Sequence, residues 1–113
     1  MATGIRKGFM FNAPTGMVKY RFVTLDKTTN TVAYATDGTI DGVTIGDEES
    51  GVISVQSIKD VRQEFFIEAG GTLTVGMDLI ATTDGKAVDG SAAGVVFAKG
   101  AGIAGDTVGA YAI

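Results

Sequence analysis

The chain contains no cysteine, no histidine and no tryptophan, and only one proline, among its 113 residues. Without cysteine there is no disulfide scaffold, no thiolate metal site and no cysteine nucleophile. Without histidine as well, the common zinc sites, the Ser-His-Asp triad and imidazole general bases cannot be assembled. The expectation is therefore a non-enzymatic chain without cofactor or metal. Long apolar runs are missing too. The longest, counting glycine, is about seven residues over 92–98, far short of the eighteen or so of a membrane span. Arg6-Lys7 followed by Gly-Phe-Met-Phe has the flavour of a signal peptide, but the apolar stretch stops at Asn12-Ala13-Pro14, too soon for a hydrophobic region. A soluble, non-secreted chain with no membrane partner is expected.

What is present is glycine and modest hydrophobicity: seventeen glycines, 45% hydrophobic residues and a mean hydropathy of +0.27. That is too apolar for disorder and rich in turns, and a mass of 11.6 kDa fits one domain with one modest core. Net charge is −4, unevenly spread. Residues 1–25 carry Arg6, Lys7, Lys19 and Arg21 and no acid, whereas the remainder holds thirteen acids against five bases. An acidic body argues against wrapping nucleic acid, so no nucleic-acid partner is expected.

In chain order, residues 1–17 mix Gly4, Gly8, Pro14 and Gly16 with Ile5, Phe9, Met10 and Phe11 and read as an N-terminal arm before a single β domain over 18–113. Three consecutive large apolar residues beside two cations pack on the body or dock elsewhere, which makes Ile5, Arg6, Lys7, Phe9, Met10 and Phe11 the candidate contact residues. Alternation predicts a strand over 18–25, a polar turn over 26–30, a returning strand over 31–35, a short strand at Val43-Thr44-Ile45 and another over 52–57. Ser57-Ile-Lys-Asp60 imitates a helix-capping box, with Ile58, Val61 and Phe65 at helical spacing, so one or two helical turns compete with an extended Glu64–Glu68. The stretch 69–88 reads as a strand over 72–75 introduced by left-handed Gly70 and Gly71, a break at Gly76, a strand over 78–82 and a tight Asp84-Gly85 turn. Strands over 95–98 and 107–113 close the chain. The halves resemble each other faintly: Phe22-Val-Thr with Leu79-Ile-Ala, Val32 with Val88, Gly42-Val43 with Gly94-Val95, and Gly51-Val52 with a strand near Val108. A unit used twice suits a small barrel or sandwich.

Three motifs invite chemistry and fail. Gly100-Ala-Gly102-Ile-Ala-Gly105 satisfies G-x-G-x-x-G, but eight residues after it leave no room for the helix and distant acid that a dinucleotide site uses. Asp47-Glu48-Glu49 and the Asp-Gly pairs lack the spacing of a calcium loop. Lys19, Arg21 and Lys27 with Tyr20 and Phe22 suggest a base-stacking face, yet the patch is small.

Ala69 to Gly76, Asp84 to Val88, Gly94 to Val96 and Gly105 to Val108, with weaker matches at Arg21-Phe22-Val23-Thr24 and Asp41-Gly42-Val43-Thr44, carry a glycine spacing that resembles the small capsid cement, or head decoration, proteins of tailed phages. The resemblance implies an all-β, β-tulip-like barrel or sandwich on the outer surface of the virion, bridging major capsid protein subunits, often as a homotrimer. Two other readings stay open: a non-catalytic β module for carbohydrate or another ligand, and another virion or tail β protein.

Overall fold

The computed structural model describes residues 8–58, 64–82, 84–90 and 96–112, and every regular element among them is a β-strand. These are β1 (Gly8–Asn12), β2 (Phe22–Asp26), β3 (Thr31–Tyr34), β4 (Gly42–Thr44), β5 (Val52–Ser57), β6 (Glu64–Glu68), β7 (Asp78–Ala81), β8 (Ala87–Asp89), β9 (Val96–Ala98) and β10 (Thr107–Ala112). The first five close into a barrel in the order β1-β3-β2-β4-β5, and the last five form a sheet in the order β6-β10-β9-β7-β8. The all-β expectation holds.

The two halves repeat one topology. The antiparallel pairings β1–β5, β2–β3, β2–β4 and β4–β5 recur as β6–β10, β7–β8, β7–β9 and β9–β10. The closing contact recurs as well. The barrel shuts at one parallel pair, Asn12 with Thr31, where the Asn12 N–H donates to the Asn30 carbonyl at 2.9 Å. The second sheet curls back to one parallel bridge, Ala69 with Ala87, where the Gly70 N–H donates to the Ala87 carbonyl at 2.7 Å. The faint sequence repeat has a structural counterpart: Phe22-Val-Thr lies on β2 and Leu79-Ile-Ala on β7, Val32 on β3 and Val88 on β8. Gly94-Val95 lies outside the described residues.

Two clusters fill the interior. Inside the barrel, Met17, Val23, Val32, Ile53 and Val55 pack together with Phe11, Leu25 and Tyr34 at the margins. The second cluster takes Phe65, Ile67, Leu79, Val96 and Val108 from the inner face of the second sheet, spaced by Ala69, Ala81, Ala87, Ala98, Ala110 and Ala112. Those alanines let a five-stranded sheet curl tightly without overfilling its concave side. Phe22, Ile40, Val43 and Ile58 of the first half roof this second core, with the Phe22 ring edge-on to Phe65 at 6.3 Å.

The joint between the halves is the start of β2. Successive strand residues point to opposite faces, yet Phe22 and Val23 are both fully buried, because the strand is covered on one face by the barrel core and on the other by the second core. The Phe22 N–H donates to the Gly85 carbonyl at 2.8 Å, so the Asp84-Gly85 turn docks on β2. Gly85 has φ +74°, and a Cβ there would stand 2.5 Å from the Phe22 carbonyl oxygen.

Several sequence expectations are corrected. Gly8–Asn12 is not an arm: its whole length pairs with β5 from Gly8↔Gln56 to Asn12↔Val52, and Met17 is 3% exposed in the barrel core. Residues 1–7 lie outside the described residues. The strand expected from Val18 begins only at Phe22, since Tyr20 sits at φ +65°. Of 72–75, only Leu73 pairs, with Gly102, and Thr74–Met77 is a turn. Gly70 and Gly71 are not left-handed; Gly70 is closely packed, a Cβ there standing 3.0 Å from Lys86 Cβ. The helical alternative over 57–65 loses Phe65 to β6, while 59–63 lie outside the described residues.

Two stability outcomes follow. Gly16 also has positive φ, +88°, but open space around it, so Gly16→Ala is expected to cost about 1–2 kcal/mol, the left-handed penalty alone. Gly85→Ala adds the clash with Phe22 and should cost about 1–3 kcal/mol more; equal urea midpoints for the two variants would refute the docked-turn account. Phe22→Ala should cost about 3–5 kcal/mol and unfold both halves in one transition. Two resolved transitions would mean that the joint does not couple them.

Candidate interaction surfaces

Ile5, Arg6 and Lys7 lie outside the described residues. Phe9 stands on β1 opposite Val55 in backbone register. The next two residues divide, as strand alternation requires: Met10 is 56% exposed, whereas Phe11 packs against the barrel core. Met10 borders a shallow depression with Asp47, Glu49, Ser50 and Val52. The structure thus brings the exposed Met10 beside the acidic loop and takes Phe11 inward.

The cationic face suggested by Lys19, Arg21 and Lys27 is dispersed. The Lys19 ammonium lies 5.1 Å from the centre of the Tyr20 ring, Phe22 is buried, and Lys27 sits at the mouth of the barrel. Arg21 is consumed at the joint. Its side chain is 12% exposed, reaches the Glu68 carboxylate at 3.1 Å, donates to the Asp84 carbonyl at 3.0 Å and lies over the Tyr34 ring. Glu68 is held from its other oxygen by Lys86 at 3.6 Å. This bridge ties the barrel to the hairpin of the second sheet. Beside it, Tyr20 meets Phe66 edge-on at 6.1 Å, and Phe66 is 57% exposed on the outer face of β6.

The acidic loop is a fastening. Glu48 accepts the Gly16 N–H at 2.9 Å through one oxygen and the Gly51 N–H at 2.7 Å through the other, clamping the β1–β2 and β4–β5 connections. Asp47 accepts the Lys19 N–H at 3.0 Å. The two backbone donors hold the Glu48 carboxyl below the ordinary glutamate range. Among the described residues, no group of three or more His, Cys, Asp or Glu side chains is placed to hold a metal ion. A cavity of about 230 Å³ opens at the barrel mouth, walled by Phe11, Val23, Leu25, Val32 and Val55 with Lys27 and Asp41 at the rim. The Asp41 carboxylate already accepts the Leu25 N–H at 2.8 Å.

Sequence reasoning missed three exposed apolar residues: Phe66, Val75 and Ile103, exposed by 57%, 71% and 63%. A signal existed for two of them. Val75 directly precedes a turn glycine and Ile103 lies two before another, where a side chain has little neighbouring structure to bury it.

No protein-family model matches the chain, and no curated protein matches it. Among solved structures it is similar to the head fiber gp8.5 N base of bacteriophage phi29, with a TM-score of 0.74 and 20% sequence identity, over 94% of this chain and 92% of that one. The likeness establishes a shared fold along nearly the full length of both.

The Glu48 clamp makes stability depend on pH in a defined direction. A carboxyl whose folded pKa is depressed contributes stability that is complete above its unfolded pKa and is lost as pH falls through the folded value. Thermal melts in the acid range should therefore show wild type and Glu48→Gln converging as pH drops, with the wild type more stable near neutrality. A constant gap across that range would show that the charge of Glu48 does not matter.

Proposed function

We propose that the chain is a virion structural protein of a phage: a decoration protein that sits on the outside of the head, contacts the major capsid protein and stabilises the joins between its subunits, acting as a homotrimer and without catalysis. The observation that carries this reading is the full-length fold correspondence with a phage head fiber base. The lack of histidine and cysteine and the glycine pattern of 69–108 agree with it. The first capsid contact is assigned to the N-terminal residues Ile5, Arg6 and Lys7 together with Phe9 and the exposed Met10 of β1; Phe11, the remaining candidate, is committed to the barrel core. A trimer presents three such segments to a symmetric surface, so weak single contacts combine through high effective concentration. A second reading, a non-catalytic ligand-binding module, has one observation in its favour, the cavity at the barrel mouth.

Mass spectrometry of gradient-purified virions of the encoding phage should find the chain at stoichiometric level, and heads made without it should bind the purified protein on co-sedimentation. Deleting residues 2–7 leaves β1 paired, so that variant should melt like the wild type yet occupy heads more weakly. Extending the deletion to residue 12 removes a barrel strand and should unfold the protein. Absence from virions, with no binding to heads, would overturn the reading in favour of the ligand module.

A further inference from the structure

The cavity of about 230 Å³ at the barrel mouth is walled by residues of the first half. Its floor is the barrel core: Val23, Val32 and Val55 are buried, and Phe11 and Leu25 are half-buried against them. The second half, built on the same topology, differs here. Its core is roofed by Phe22, Ile40, Val43 and Ile58, whereas among the described residues the second half adds nothing to the walls of the barrel mouth. Size limits the occupant. An apolar cavity of about 150 Å³ binds benzene, and drug-sized sites start at about 300 Å³. The barrel mouth therefore takes a single ring or a branched aliphatic group, and is too small for a long acyl chain.

Two charges of opposite sign share the rim, Lys27 and Asp41, and they form no ion pair with each other. The other described cations are engaged: Arg21 and Lys86 on Glu68, Lys99 on Glu64, and Lys19 over the Tyr20 ring. Lys27 has no such partner among the described residues. The turn that carries it is fixed at its base, where the Asp26 carboxylate accepts the Thr28 N–H at 2.9 Å. Asp41 is held more firmly still. Its N–H donates to the Val23 carbonyl at 2.9 Å, its carbonyl accepts the Ile58 N–H at 3.4 Å, and one carboxylate oxygen accepts the Leu25 N–H at 2.8 Å. The second carboxylate oxygen takes no hydrogen bond from the described residues. An anchored anion and an unpaired cation thus stand over one apolar cavity, in place before any ligand arrives.

We propose that the barrel mouth binds a free α-amino acid with an apolar side chain, of the leucine or phenylalanine type: the side chain fills the cavity, the α-ammonium meets Asp41 and the α-carboxylate meets Lys27. The inference rests on the ligand-cavity reading of the barrel mouth and is independent of the head-decoration reading. Charge selects the class. A simple carboxylate meets Lys27 but brings an anion up to Asp41, and an amine does the reverse. A neutral apolar molecule crowds both rim charges and pairs neither. A zwitterion answers both at once. Ion pairs at an exposed rim are weak singly, so the buried side chain sets most of the affinity and the rim sets the choice among molecules of equal size.

The test is an amide-shift titration of the full chain, labelled with nitrogen-15, with L-leucine and L-phenylalanine. The amides of Leu25, Val32 and Val55 should move saturably, with a Kd in about the millimolar range. Glycine, which lacks the side chain, should bind about tenfold or more weakly. N-acetyl-L-leucine and L-leucinamide each lose one charge, and each should bind severalfold more weakly than L-leucine. Lys27→Ala should make L-leucine and L-leucinamide equal; Asp41→Asn, which keeps an acceptor for the Leu25 N–H, should make L-leucine and N-acetyl-L-leucine equal. Shift dispersion shows whether each variant is folded, and Lys27→Ala, at an exposed position, carries the test if Asp41→Asn is not. If uncharged 3-methylbutanol binds as tightly as L-leucine and the variants change no preference, the amino-acid proposal is overturned while the ligand-cavity reading stands. If neither the amino acids nor 3-methylbutanol moves the cavity amides at tens of millimolar, both are overturned and the head-decoration reading is untouched.

Discussion

The structure depends on four residues at the entry to β2, where one short piece of backbone serves both halves. Tyr20 donates its N–H to Thr44 in the barrel and accepts, at its carbonyl, the N–H of Glu68 on the second sheet, at 2.8 and 2.9 Å. Arg21 spans the same gap through its side chain, and Phe22 and Val23 then enter the two cores in opposite directions. The left-handed backbone of Tyr20 is costly for a bulky residue, and the hydrogen bonds on both sides are what hold it there. Two five-stranded units of about fifty residues would each be marginal alone. Joined back to back, they share the burial of Phe22, Val43 and Ile58.

Repetition explains how so small a chain builds two cores. The same order of pairing, the same antiparallel ladders and the same single parallel bridge recur, so a unit that folds once folds twice. The copies diverge where the topology leaves freedom. Inward positions become larger aliphatics in the barrel and alternate with alanines in the second sheet. At the paired connections both copies use backbone hydrogen bonds, from Glu48 N–H to the Met17 carbonyl and Ala13 N–H to the Gly51 carbonyl in the first and between Leu73 and Gly102 in the second, and the first adds the Glu48 carboxylate clamp.

What the sequence disclosed tracks how local the cause was. β5 was legible because Ile53 and Val55 alternate cleanly with Ser54 and Gln56, and the Asp84-Gly85 turn because its chemistry is local. β1 was not, since three adjacent apolar residues hide a period of two and the flanking Gly8, Pro14 and Gly16 imitate a loop. The late start of β2 was illegible for a different reason: Tyr20 is bent by partners far away in sequence, at Thr44 and Glu68. Of the candidate contact residues, sequence could place Met10 and Phe11 together but not on opposite faces, because their roles follow from β5 lying alongside. For Val75 and Ile103 the turn glycines Gly76 and Gly105 were the signal of exposure, one that is lost when such glycines are read as punctuation alone.

Closure of the sheets constrains how this protein can hold a partner. A barrel has no free edge, and the second sheet brings its outer strands together at Ala69 and Ala87. Along β6 the remaining edge is used internally, the Glu68 N–H by Tyr20 and the Glu64 carbonyl by the Gln56 amide at 3.2 Å. Attachment by adding a strand, the usual recourse of exposed β-edges, is therefore narrowed on β6, where Glu64 and Glu68 are already engaged. Among the described residues, the most exposed large apolar side chains, Val75 and Ile103, stand on turns and not along an open strand edge. On the decoration reading proposed above, contacts of that kind would each be small and would gain affinity from their number on a repeating surface.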